Sequence, residues 1–460
     1  LGLTLSPIEL QQLQSVDAEE QDRLERFKLG WEVYEGDMPS PLKVEFGKRN
    51  DNVILPFARS FVNTSVKFLL GEDLEMKGED ERVDDLIADS WSGGTRRANS
   101  KMLTLNKLAL NGGVTGTPFL KLQPKDNFTR IIVLDPSYVS VIWSQEDIDE
   151  VRRYRIEWPI IDKDNKPAAR RQDITKQDGG YWEIKDYISR AGSHRWEEIA
   201  SEVWPFDFAP IVETQNMIRP NEYWGQSDLE GGLIEINNAI NAVVSDVKKI
   251  LTYHAGPKTV AKGMTQDQFV ELNAQPNSLT FVPEGAELEN LELTGDLKAS
   301  IDTYNELKAA MHSIAGIPEV ATGKVDNIGN LSARAMQILY KPLIDLTSTK
   351  RMTYGHMIDE TNRRICVIHG VKEPEIPDIL WPDILPKDAL EERQVAEADI
   401  RMGVASKETI SGKLGYDWDL ESEKIGEERE SSAEYMLTQF DAGNTQGADA
   451  FTEKVNAGTV

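Results

Sequence analysis

The chain has 460 residues, 40% hydrophobic and 28% charged, which suffices for two or three domains with a sizeable core and much solvated surface. Its formal net charge of −27 argues against a general duplex-gripping surface, which needs Lys and Arg to displace counterions from phosphates. It is compatible with a wall past which DNA slides, and equally with the ordinary acidity of many cytoplasmic proteins. The single cysteine, Cys366, excludes an intrachain disulfide, and no apolar run approaches the roughly 20 residues of a membrane span. The start at Leu1 carries no signal-peptide pattern, so the expectation is a soluble cytoplasmic protein lacking some N-terminal sequence.

In chain order, residues 1–30 read as a helix rich in Gln, Glu and Leu, followed by a turn-rich stretch from Glu35 to Pro41. Helices are expected over 53–70, with Phe57, Phe61, Val62 and Phe68 on one side and Gly71 as its stop, then near 79–91 and 98–111. The last two end at glycine pairs, Gly93-Gly94 and Gly112-Gly113. Short runs over 117–125, 130–134, 138–143, 151–158 and 181–188 are β-branched or aromatic and bounded by turn residues, as antiparallel strands are. Tyr154, Ile156 and Trp158 alternate there with Arg153 and Arg155.

Ser227 and Glu230 have the spacing of a capping box. Behind them Leu229, Leu233, Ile236, Ile240, Val243, Val247 and Ile250 form a stripe close to a 3.5-residue repeat, up to Pro257. Residues 257–294 alternate short apolar runs (Thr259–Ala261, Leu279–Val282, Leu288–Leu293) with a helical piece near Gln266–Leu272. A second amphipathic helix carries Leu297, Ile301, Tyr304, Leu307, Met311 and Ile314, stopped by Gly316 and Pro318. The Gly-, Asn- and Pro-bearing stretch 317–331 reads as a loop longer than ordinary helix connections. From Ser332 a very long helical pattern runs to about His369 with Pro342 inside it, where proline removes a backbone bond and favours a kink. A Pro-rich segment with Pro374, Pro377, Pro382 and Pro386 follows, then acidic helices from Ala389 and a Gly/Asn/Thr-rich tail from about Ala442.

The usual catalytic patterns are missing. Gly47-Lys48, Gly323-Lys324 and Gly412-Lys413 are followed by Arg, Val and Leu rather than Ser or Thr, so there is no P-loop. Neither G-x-S-x-G nor H-E-x-x-H occurs. Cys366 and His369 share a helical turn, but two ligands fall short of a zinc set and both read as structural. Asp162 and Asp164 resemble the start of a calcium loop without its glycine and closing Glu, and read as a charged hairpin tip. No catalytic residue, cofactor or metal is expected.

Several phrases, in order, resemble portal proteins of tailed double-stranded DNA bacteriophages, of the siphovirus-like type. These are Trp31 to Gly36, Asn52 to Val62, Phe68 to Gly71, Leu134-Asp135-Pro136, Ala315 to Pro318, Gly323, Gly329 to Ser332 with Ala333, Ala335 and Leu339, Pro342-Leu343, Gly403 to Thr409, and Glu427-Glu428. The likeness spans nearly the whole chain; the strands match only in character and the C-terminal tail hardly at all. It implies an α+β, mainly helical phage-portal fold. Residues 1–225 and 370–388 would form a β-rich wing, 226–256 and 295–316 two long stem helices, 257–294 a small α/β clip, 317–331 a tunnel loop, 332–369 the Pro342-kinked helix and 389–460 a C-terminal helical crown and tail.

The resemblance also implies a homo-oligomeric ring, dodecameric in the virion, at one capsid vertex. Packaging, retention and ejection of double-stranded DNA would proceed through it, after assembly in the bacterial host cytoplasm and without a membrane. Its expected partners are the terminase large subunit, a head-completion or adaptor protein, and the major capsid and scaffolding proteins. Thr322, Gly323, Lys324, Val325, Asp326, Asn327, Ile328, Gly329 and Asn330 would line the DNA channel, and Gln266, Asp267, Gln268, Glu271 and Asn273 would face the motor. Two rival readings are a non-viral structural or adaptor protein that oligomerises through long helices, and a metal-dependent hydrolase using Asp and Glu.

Overall fold

The structure is a computed structural model that describes residues 7–43, 50–93, 101–190, 195–255, 258–263, 285, 287–291, 297–323, 333–384 and 389–428. The chain divides into two units, Leu1–Ile384 and Leu385–Val460.

The first unit opens with helix α1 (Pro7–Glu35) and α2 (Phe57–Leu70), the latter stopped at Gly71 as its sequence predicts. Strand β1 (Glu75–Lys77) leads to α3 (Glu81–Ser92), whose Asp80 side chain accepts from the Arg82 amide and whose Gly93 takes the left-handed C-terminal conformation. Helix α4 (Lys101–Thr115) runs straight through Gly112 and Gly113, where the sequence suggested a stop. These glycines are contact points: a Cβ on Gly112 would lie 2.0 Å from the Tyr354 hydroxyl, and one on Gly113 would lie 2.9 Å from Val62. Close packing there outweighs the helix cost of glycine, about 1 kcal/mol each.

The strands are antiparallel throughout. β2 (Phe119–Pro124) lies between β3 (Thr129–Leu134) and β9 (Ile211–Glu213). β4 (Val139–Trp143), β5 (Val151–Ile161), β6 (Pro167–Lys176), β7 (Trp182–Arg190) and β8 (Glu197–Trp204) follow one another in a five-stranded meander. The expected alternation in β5 holds, with Tyr154 and Ile156 buried. The Asp162 hairpin tip is also as expected: its carboxylate accepts from the Asp164 and Lys166 amides. β6 and β8 went unread, as did the three-residue β1 and β9. β6 carries Arg170 and Arg171, whose guanidiniums lie over the rings of Trp158, Tyr187 and Trp196, so its long stems cover the sheet while its sequence reads as polar.

After this sheet the chain forms α5 (Leu233–Ala255), β10 (Lys258–Lys262), β11 (Glu287–Leu291) and α6 (Leu297–Ala315). α5 packs on α6, and β10 pairs antiparallel with β11. α7 (Ala333–Ile368) contains Pro342, and β12 (Asp378–Leu380) returns to pair with β1. Arg351 holds this return. It donates to the Phe68 and Leu69 carbonyls at the end of α2 and to Pro382, and it stacks 5.1 Å from the centre of Trp381.

One core joins α2, α3, α4 and α7 around Trp91, Leu69, Leu108, Tyr354 and Ile365; a second lies under the five-stranded sheet around Tyr154, Trp182, Trp204 and Phe208. Cys366 is buried in the first, with its thiol pushed up to about 11 by burial, and His369 lies 3.1 Å from the Thr129 hydroxyl, so both act in packing. The second unit contains α8 (Ala389–Met402) and α9 (Lys407–Lys413), the latter capped by Ser406 through the Thr409 amide. Among the described residues no helix is long and apolar enough to cross a membrane.

Candidate functional site

Of the expected channel-lining residues, Thr322 and Gly323 are placed; Lys324, Val325, Asp326, Asn327, Ile328, Gly329 and Asn330 lie outside the described residues, as do Gln266, Asp267, Gln268, Glu271 and Asn273. Pro342 sits within α7. What the structure defines is the base from which the 324–332 segment departs. α6 ends at Ala315, Gly316 takes a positive φ of 65°, and Glu319–Thr322 forms a short 3₁₀ turn closed by Gly323 at φ 98°.

His312 ties this turn down. It is buried, its Nδ1 lies 2.8 Å from the Ile317 carbonyl, and its ring meets Phe61 edge-on at 5.0 Å. A carbonyl oxygen only accepts, so Nδ1 carries a proton and donates it to Ile317. Lys308 stands 3.6 Å from Glu319. A cavity of about 460 Å³ opens here, lined by Leu55, Phe57, Phe61, Lys308, His312 and Gly323.

Between α2, α4 and α7 lies a buried polar node. The Lys350 ammonium is 2.6 Å from the Asp228 carboxylate and 2.7 Å from the Ser65 hydroxyl; the two charged side chains are 1% and 7% exposed. Asn216 donates to Asp228 at 2.9 Å and accepts from the Tyr354 hydroxyl at 3.1 Å. Burial, with the Asp228 charge adding to it, holds the Tyr354 hydroxyl well above its usual pKa, so it stays a donor. Ser227 lies 2.9 and 2.8 Å from the carbonyls of Gly113 and Val114, and the Glu230 side chain reaches back to the Ser227 amide at 3.3 Å. Gly116 and Gly225 face each other backbone to backbone: a Cβ on either would come within 2.2 or 2.3 Å of the other's carbonyl oxygen.

The capping box at Ser227 thus forms, but it caps a turn and not the stem-like helix. Gly231 and Gly232, at φ 83° and 89°, intervene, and α5 starts only at Leu233. The apolar stripe also divides. Leu229, Leu233 and Ile240 are buried, whereas Ile236, Val243, Val247 and Ile250 are only partly covered. On α6, Met311 is buried, but Ile301 and Ile314 are each 52% exposed. The inner face of α5 is partly polar: Asn237, Asn241 and Ser245 are buried against Met38 and the extended strap 50–56.

No local pattern marks Lys350, Asp228 or Asn216. A lysine in a long polar helix reads as solvated, and its partner lies 122 residues away. Among the described residues no group of three or more His, Cys, Asp or Glu side chains could hold a metal ion.

Residues 13–435 match the family described as phage portal protein, SPP1 Gp6-like, and the chain belongs to that family. Among solved structures it is similar to a chain in the neck of an empty GTA particle at C6 symmetry, with 14% identity and a TM-score of 0.48, covering 79% of this chain and 90% of that one. It is also similar to a chain in the neck of a native GTA particle at C12 symmetry, with 13% identity and a TM-score of 0.49 over 79% and 90%. A chain of the virion of a native gene transfer agent particle gives 14% identity and a TM-score of 0.47 over 84% and 99%. No curated protein matches the chain.

Proposed function

We propose that this chain is one subunit of a portal ring at a capsid vertex, through which double-stranded DNA is packaged, retained and released. The observation that carries this reading is the portal-family match across residues 13–435. In this reading α5 and α6 are the stem, the β10–β11 module is part of the clip, 317–331 is the tunnel loop, and residues 1–225 with 370–388 form the wing. Residues 389–460 would be the crown and tail. The ring would be dodecameric in the virion and assembled in the host cytoplasm. The clip, with Gln266, Asp267, Gln268, Glu271 and Asn273, would meet the terminase motor, then a head-completion protein; capsid and scaffolding proteins would contact the ring from outside. Hydrolysis would belong to the motor and not to this chain.

The half-exposed apolar positions of the stem suit this reading, because a head-to-tail ring buries two different faces of each subunit against its neighbours. Ile301 is expected to lie in that interface. Ile301→Asp should leave the subunit's unfolding free energy within about 0.5 kcal/mol of the parent while abolishing rings in mass photometry. Ile240→Asp differs: Ile240 is fully buried within the subunit, so that change disrupts folding before assembly. Deleting 324–329 tests the loop. Rings and procapsids should still form, and the DNA packaged per particle should fall; full heads from the deletion would remove the loop from the DNA path.

A further inference from the structure

The inner face of α5 repeats itself at every turn. Ile236-Asn237, Ile240-Asn241 and Val244-Ser245 each set a branched apolar residue before a small polar one, four residues apart. Four residues are one helical turn, a rise of about 6 Å. The strap 50–56 lies antiparallel along this face. The Val53 amide donates to Ser245 Oγ and the Leu55 amide donates to Asn241 Oδ1, each at 2.9 Å. Alternate amides of an extended chain are about 6.6 Å apart, so the strap's spacing fits the helix's turn spacing. The next amide along the strap is Phe57, but Pro56, at φ −81° and ψ 64°, makes an inverse γ-turn that sends the Phe57 amide to the Leu55 carbonyl at 2.9 Å. The third rung, Asn237 Oδ1, is fully buried and has no hydrogen-bond partner among the described residues.

We infer that α5 and the 50–56 strap have two registers, one helical turn apart. In the second, the Val53 amide donates to Asn241 and the Leu55 amide to Asn237, while Ile236 takes the place of Ile240. Both registers keep the two amide-to-side-chain ladder bonds and one buried isoleucine; the Lys248 ammonium, which donates to the Asn52 carbonyl at 3.5 Å in the described register, gives up that contact. The slack lies at the start of the helix. Ser227 is anchored to the end of α4, and between that anchor and Leu233 stand Gly231 and Gly232; a Cβ on Gly232 would meet nothing within 4 Å, and one on Gly231 only Ile314 at 3.9 Å. Two glycines passing from a turn to an extended path supply several ångströms of reach. A one-turn slip between packed elements is an established kind of switching movement. This movement is a property of the subunit and does not depend on the portal reading.

Hydrogen exchange of the peptide spanning 50–56 in the full-length protein tests it, with other peptides of the same chain reporting global folding. Asn237→Leu should leave the strap's protection unchanged, because the described register does not use that rung. Ser245→Ala, which removes one hydroxyl and little volume, should also leave exchange within about twofold of the parent, since Val53 moves to Asn241 and Leu55 to Asn237. Combining the two should accelerate strap exchange about tenfold or more with the other peptides unaffected. If Ser245→Ala alone accelerates the strap as much as the double variant does, there is a single register. If the double variant remains protected, the ladder does not hold the strap, and the inference fails equally.

Discussion

Replacing Lys350 by Met is expected to destabilise the subunit by about 3–5 kcal/mol, because it leaves the Asp228 carboxylate buried without its countercharge. The ammonium it removes is 1% exposed and also donates to Ser65, so three elements lose a shared anchor: α2, the segment around Asp228, and α7. Asn216 still donates to Asp228, but one amide does not offset a full buried charge. Removing both charges, with Asp228→Asn and Lys350→Met together, is expected to cost less than Lys350→Met alone. Urea unfolding of the parent, both single variants and the double variant measures this, and strong non-additivity is the expected signature of the pair.

Gly116→Ala is expected to cost about 2–4 kcal/mol by two routes at once. The residue sits at φ 91°, which side-chain-bearing residues rarely adopt, and its new Cβ would approach the Gly225 carbonyl oxygen to 2.2 Å. That obstacle is backbone, and Gly225 cannot withdraw: its amide bonds Thr117 Oγ1 at 2.9 Å, and the Asn216 amide bonds the Gly116 carbonyl at 2.8 Å. The urea midpoint should fall with an unchanged denaturant slope. By contrast Gly180, also at positive φ but with open space around its Cβ position, carries only the conformational part of that cost.

Local signals carried much of this architecture. Gly71 and Gly93 end helices because they can take positive φ, and the Tyr154–Ile156 alternation identifies β5 because one face of the sheet is buried. Readings failed where a long-range contact overrides the local cue. Gly112 and Gly113 look like a helix stop, yet they stay helical because Tyr354 and Val62 need the room. Ser227 and Glu230 look like a helix start, yet the glycine pair after them delays α5 to Leu233. Arg170 and Arg171 hid a strand because their stems lie on aromatic rings. The polar ladder of Asn237, Asn241 and Ser245 looks like a solvated helix face, and only the strap opposite it explains its burial.

The candidate site was legible to a different degree. The Gly/Pro punctuation around 316–323 marks the end of α6, and the structure places a positive φ at both Gly316 and Gly323. His312 gave no such warning, since its role depends on Phe61, about 250 positions earlier in the chain, and on a carbonyl beyond the helix end. The acidic composition is a whole-chain property, a net charge of −27, and is read without any local motif.

As a portal-family subunit, this chain is expected to assemble into a channel-bearing ring. Electron microscopy of the purified full-length protein, with mass photometry on the same preparation, tests it most directly. The expected result is closed rings of identical subunits, each of 51.7 kDa, around a central opening about as wide as a DNA duplex. A stable monomer with no ring at any protein concentration or salt, or an assembly without a central opening, would contradict it.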